Sequence, residues 1–127
     1  FYIIEGERQF FFDNKSYNAY AGDIAILDTN LVHTTCSISD EDKGYNRVIL
    51  YIDYEKMCDF DKKYPGLNLV NYFHNNYGIY HLNEDQRIAF LNLYRDLRHE
   101  LTKKNSGYQS RVEIATIYWL YKLLPET

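Results

Sequence analysis

Gly22-Asp23-Ile24-Ala25-Ile26-Leu27-Asp28-Thr29-Asn30-Leu31-Val32-His33 is the stretch on which the fold turns. Glycine accepts positive φ and aspartate can bond the backbone two residues on, so Gly22-Asp23 punctuates the start of a strand. Ile24 to Leu27 then run apolar without a break, and Asp28-Thr29-Asn30 closes them. So short a run reads as a strand buried on both faces rather than as a helix. His33 opens the next strand. Turn, apolar strand, polar turn and histidine, in that order, predict a small β-barrel with a side chain turned toward its interior.

Outward from this stretch, short apolar segments recur with turn signals between them: Phe1 to Ile4, Phe10 to Phe12, Tyr17 to Tyr20, His33 to Ile38 and Arg47 to Ile52. Such spacing favours an all-β sandwich or barrel over residues 1–53. Asp13-Asn14-Lys15-Ser16 predicts a tight hairpin, and Ser39-Asp40-Glu41-Asp42-Lys43-Gly44 a charged loop that blunts a sheet end. No helix is expected before residue 53. Residues 54–82 read as an irregular connector, with one short helical turn around Tyr54 to Asp59 and a break at Pro65-Gly66.

After Asn83 the period becomes helical. Asn83 is a good N-cap, and Glu84 and Asp85 place negative charge in the first turn, where it suits the helix dipole. Ile88, Leu91 and Leu101 lie on one stripe, and Phe90, Leu93 and Leu97 on a second beside it. Lys103 to Gly107 end this helix, and a second runs to about Leu124, stopped by Pro125. That second helix is apolar on most sides, with Val112, Ala115, Trp119 and Leu123 on one and Ile114, Ile117, Tyr118 and Tyr121 on others. A helix of this kind needs two covers, one from its own domain and one from a partner such as a second copy. Residues 83–127 are therefore an antiparallel helical hairpin and the expected dimerisation element.

The 127 residues, 46% hydrophobic, suffice for one core and one structural domain. The strand pattern is already running at Phe1, which reads as a piece of a longer protein. A net charge of -4 argues against the clustered basic face that a phosphate backbone requires. No apolar run reaches the roughly 20 residues of a membrane-spanning helix, so a cytoplasmic setting without membrane contact is expected. Cys36 and Cys58 form no CxxC or metal spacing and are expected to be reduced. The 14 tyrosines can line a polar pocket or an interface, although most read as ordinary core and rim residues.

The β half followed by two helices resembles the N-terminal sensor and dimerisation domain of AraC-family transcriptional regulators. The carriers are Ile4-Glu5-Gly6-Glu7, the Phe10-Phe12-Asp13 hairpin, Gly22-Asp23 to His33, the Arg47 to Asp53 strand and the closing helix pair. The resemblance implies a mainly β fold with C-terminal α: a cupin-like barrel (double-stranded β-helix, or jelly-roll) followed by the helical hairpin. It also implies a helix-turn-helix DNA-binding domain in a segment that this stretch does not include, so that DNA would be contacted only through that domain. Metal-binding cupins, similar in fold, place His-x-His and an acidic residue before the region matched by Glu5-Gly6, and a further histidine at the place of His33. That earlier segment is not part of this sequence, so no metal ligand and no cofactor is assigned.

The resemblance puts Glu5, Thr35, Arg47 and Ile49 where relatives contact effector, and strand parity adds His33 and Tyr51 as neighbours. Arg47 would suit a carboxylate or a hydroxyl-rich ligand, and Tyr51 could stack or donate a hydrogen bond. Two plainer readings stand beside these. Glu5 and Arg47 could pair with each other across the barrel, and His33 could bond backbone at a strand mouth. On the helices, Leu93, Tyr94, Leu97 and Leu101 are the expected knobs of a two-fold interface.

These readings converge on a non-enzymatic domain that binds a small polar metabolite, a sugar, sugar acid or similar, and forms a homodimer. No catalytic residue is assigned, since no nucleophile elbow, P-loop or dinucleotide fingerprint is present. One alternative is a cupin metalloenzyme acting on a small polar metabolite. Another is a pure dimerisation module whose barrel is filled by Phe10, Phe12 and Tyr17.

Overall fold

A computed structural model describes residues 1–38 and 44–123. Among these residues seven strands, β1 (Tyr2–Glu5), β2 (Glu7–Phe12), β3 (Lys15–Tyr20), β4 (Asp23–Ile26), β5 (Thr34–Cys36), β6 (Asn46–Val48) and β7 (Gly78–His81), form two antiparallel sheets. One is ordered β6-β1-β4-β7 and the other β3-β2-β5. Helices α1 (Tyr54–Lys63) and α2 (Leu69–Asn75) precede β7, and the long pair α3 (Glu84–Lys103) and α4 (Tyr108–Leu123) follows it.

The apolar run of the decisive stretch behaves as its composition predicts, whereas His33 does not open the next strand, which begins at Thr34. All four residues of β4 are buried, and they serve two cores. Ile24 and its register partner Tyr2 turn toward the helices, where they pack with Met57, Phe60, Phe90, Leu93, Trp119 and Leu120. Ala25 and Ile3 turn the other way and meet Phe10, Phe12 and Ala19 of the second sheet. Strand alternation thus makes β1 and β4 the middle of a three-layer stack of sheet, sheet and helices.

The expected closed barrel does not form. The chain steps from one sheet to the other at Gly6 and at Gly22, both in the left-handed region (φ 86° and 91°). A Cβ at Gly6 would overlap the Gly44 carbonyl oxygen, so the corner needs glycine. β5 and β6, each three residues, end their sheets rather than joining them, and among the described residues no ladder closes the stack. β6 also stops at Val48 rather than Ile52, because Val48 pairs with Tyr2, where β1 begins. The hairpin at Asp13-Asn14 has both residues at positive φ, with Phe12 opposite Lys15.

Two further expectations are corrected. Helices hold more residues than strands, so the fold is mixed rather than mainly β. Part of the excess comes from residues 54–82, which are not irregular but hold α1 and α2. Asp53 caps α1 by accepting the Lys56 N–H at 2.7 Å, and Met57 and Phe60 bury one face. β7 then adds to the edge of β4, with Asp23 opposite His81 and Ile26 opposite Gly78.

Asn83 caps α3 as expected: its side chain takes the Gln86 N–H at 2.8 Å, and Gln86 returns a bond to the Asn83 N–H at 2.9 Å. Most of the charged loop expected at 39–44 and the stop expected at Leu124-Pro125 lie outside the described residues. Among the described residues no helix is long and apolar enough to cross a membrane.

Candidate functional site

The site follows from the way the helices sit on the first sheet. α3 and α4 lay Phe90, Trp119, Leu120 and Leu123 over Tyr2 and Ile24, with Met57 of α1 and Phe73 of α2 at the sides. The rings form a chain: Tyr2 lies 4.5 Å from Phe90, and Phe90 meets Trp119 edge-on at 5.4 Å. These bulky groups and the extended segment Val48 to Ile52 leave a cleft of about 230 Å³ between sheet and helices. At its polar end stand Asp28, Thr29 and His33.

Electrostatics at that end are fixed by local bonds. The Asp28 carboxylate accepts the Thr29 N–H at 2.9 Å and lies 3.2 Å from His74 Nδ1. His33 Nδ1 lies 3.1 Å from the Leu31 carbonyl oxygen, the backbone bond that the plainer reading of this histidine expects, and its ring meets Phe1 edge-on. Burial raises the Tyr2 phenol above its ordinary pKa, partly offset by the Arg87 guanidinium.

The space between the two sheets, where the barrel interior was expected to hold a ligand, is packed. Phe12 stacks on Tyr17 at 4.4 Å and Phe1 meets Phe10 edge-on at 5.4 Å. Tyr45, Tyr77, Leu27 and Ile79 close round them.

The six residues expected at a ligand site therefore separate. His33, Ile49 and Tyr51 line the cleft. Thr35 and Arg47 stand elsewhere, beside Tyr45. The Arg47 guanidinium is 5.2 Å and that of Arg8 4.9 Å from the Tyr45 ring, and Arg8 Nε donates to Thr35 Oγ1 at 3.3 Å. The Tyr45 hydroxyl is buried without a hydrogen-bond partner among the described residues; burial raises its pKa, and Arg47 and Arg8 lower it. Glu5 is exposed opposite Asn46, and among the described residues it forms no ion pair with Arg47, whose register partner is Ile3.

On the helices, Leu93 is buried in the core, Tyr94 and Leu97 pack against that core, and Leu101 is exposed. Phe90, Met57, Phe73 and Asp28 were not anticipated as cleft residues. Asp28 reads as a turn residue in sequence, and nothing local marks its carboxylate as part of a pocket. Trp119 offered the one available signal, as the single tryptophan on a helix with more apolar surface than its own domain could cover.

Among the described residues no group of three or more His, Cys, Asp or Glu could hold a metal ion. The arrangement can enclose an apolar body and orient one polar end, the usual division of labour in a small-molecule site. No protein-family model, no curated protein and no solved structure matches this chain.

Proposed function

We propose that the chain is the small-molecule-sensing and dimerisation domain of an AraC-type transcriptional regulator, its two sheets an opened form of a cupin-like fold. The ligand occupies the cleft rather than the space between the sheets. One observation carries this reading. α4 presents Trp119, Leu120 and Leu123 to the cleft and Ile114, Tyr118 and Tyr121 to solvent, the last three all more than 60% exposed. Ligand contact and an uncovered apolar stripe thus occupy opposite sides of one rigid element. The outer stripe has the i, i+4, i+7 spacing of a helix-packing seam, so a second copy is its natural cover. Leu101 is exposed for the same use, whereas Leu93 is spent on this chain's own core.

Occupancy of the cleft would bias where α3 and α4 sit, and so how two copies are arranged. Ligand action is then a population shift limited by differential affinity for the two arrangements. DNA contact belongs to a domain outside this stretch, in the cytoplasm. The metalloenzyme alternative has no convergent donor set among the described residues to argue from.

The test is a thermal-shift panel of sugars, amino acids, aromatic acids and aromatic amines, repeated on Val48→Phe, which narrows the cleft, with sedimentation in the presence of each hit. A ligand at a hundred times its dissociation constant adds about 2.7 kcal/mol of stability. Hits lost in Val48→Phe that also change the monomer–dimer balance support the reading. Hits indifferent to Val48→Phe, or a dimer blind to every hit, overturn it.

A further inference from the structure

We propose that the cleft takes a small aromatic amine, one ring with a short arm ending in an ammonium group held by Asp28. This rests on the cleft being the ligand site, as argued above, and adds the chemical class. Size sets the first limit. An apolar cavity of about 150 Å³ holds benzene, so about 230 Å³ accommodates one ring with a short substituent and little more. The walls set the second. Tyr2, Phe90 and Trp119 already meet one another in tilted and edge-on contacts, the geometry in which a further ring packs favourably.

The polar end sets the third. A carboxylate has about four lone-pair sites, and Asp28 commits two directions, to Thr29 N–H and to His74. Its remaining sites can accept. The Leu31 carbonyl can only accept, so His33 Nδ1 donates to it. No lysine or arginine is among the described residues that line the cleft. A carboxylate or phosphate ligand would meet the Asp28 carboxylate with no lysine or arginine of the lining to offset it, and a sugar would lay hydroxyls against apolar walls. An ammonium group meets the Asp28 carboxylate, with Thr29 and His33 also in the lining.

Three matched probes test the class on the chain as it stands: 2-phenylethylamine, 2-phenylethanol and phenylacetate. Titration calorimetry at neutral pH reads affinity, and emission from Trp119, the single tryptophan, reports on the cleft. The expected result is at least tenfold tighter binding of the amine than of phenylacetate. Asp28→Asn, checked for native circular dichroism, should abolish most of that preference while leaving the alcohol within about twofold. Equal or tighter binding of phenylacetate overturns the amine class but leaves the cleft as a ligand site, as does an amine preference that survives in Asp28→Asn. Silence from all three probes also overturns the class. The site reading then stands or falls separately, on whether other hits are lost in Val48→Phe.

Discussion

Asp23 and His81 face each other as register partners across β4 and β7, with a carboxylate oxygen 2.6 Å from His81 Nδ1. The aspartate side chain is only 7% exposed, whereas the histidine is 75% exposed. Its other oxygen accepts the Tyr20 N–H at 2.9 Å. One carboxylate therefore ties the corner between β3 and β4 to the edge strand that completes the sheet. Asp23→Ala leaves a part-buried N–H without its acceptor and releases β7, at a cost of about 2 kcal/mol. Asp23→Asn, which keeps one acceptor, costs less. Urea unfolding of the two variants checks the ranking, and equal stabilities would show that the carboxylate ties nothing.

α2 depends on a cap from outside its own sequence. Its N-cap, Asn68, is left-handed (φ 50°) and makes no side-chain capping bond. Asp61 of α1 supplies it instead, accepting Leu69 N–H at 2.7 Å and Val70 N–H at 3.1 Å. Seven residues are too few to hold a helix alone. Asp61→Ala is expected to cost about 1–2 kcal/mol and to speed amide exchange across Leu69–Asn75 more than in α3. Uniform exchange throughout the chain would show that packing, not Asp61, holds α2.

The same contrast explains what the sequence could tell. The elements read correctly carry their signals within a few residues: Gly22-Asp23 before β4, Asp13-Asn14 between β2 and β3, Asn83 with Gln86 at the start of α3. α1 had local signals too, in Asp53, Glu55 and Lys62-Lys63, and is longer than the single turn expected. α2 and β7 escape the sequence because what stabilises them lies outside their own segments, in Asp61 of the preceding helix and in β4, far back along the chain. The cleft fails to show in sequence for the same reason. Its walls come from β1, β4, Val48 to Ile52 and all four helices, and which face of β1 and β4 meets the helices depends on where two glycine corners turn the chain.

Phe90 links two aromatic contacts in the lining of the cleft, to Tyr2 and to Trp119. Phe90→Ala removes a ring that is 2% exposed and should destabilise the chain by about 3–5 kcal/mol. It also opens the cleft toward Trp119, so the emission of this one tryptophan should shift to the red as water enters. Phe90→Leu, which retains most of the volume, should be milder on both counts. Unchanged emission in a folded Phe90→Ala would mean that the ring does not shield Trp119.

Acid sensitivity should centre on the contact between α1 and α4. Lys63 Nζ donates to Glu113 Oε1 at 3.0 Å, and Lys56 Nζ lies 3.7 Å from Oε2. Lys63 holds the Glu113 carboxyl below its ordinary value of 4.5, with Lys56 assisting and burial opposing. A carboxyl whose pKa is lowered on folding stabilises the chain above its unfolded pKa, and that stability is lost as pH falls through the folded value. Both lysines are about half exposed, so the contribution is modest and screened by salt. Glu113→Gln should therefore be slightly less stable than the parent at pH 6, and the difference should shrink as the pH falls below the ordinary carboxyl value of 4.5 or in about 1 M salt. A gap that persists at low pH would assign the effect of Glu113 to packing rather than to its charge.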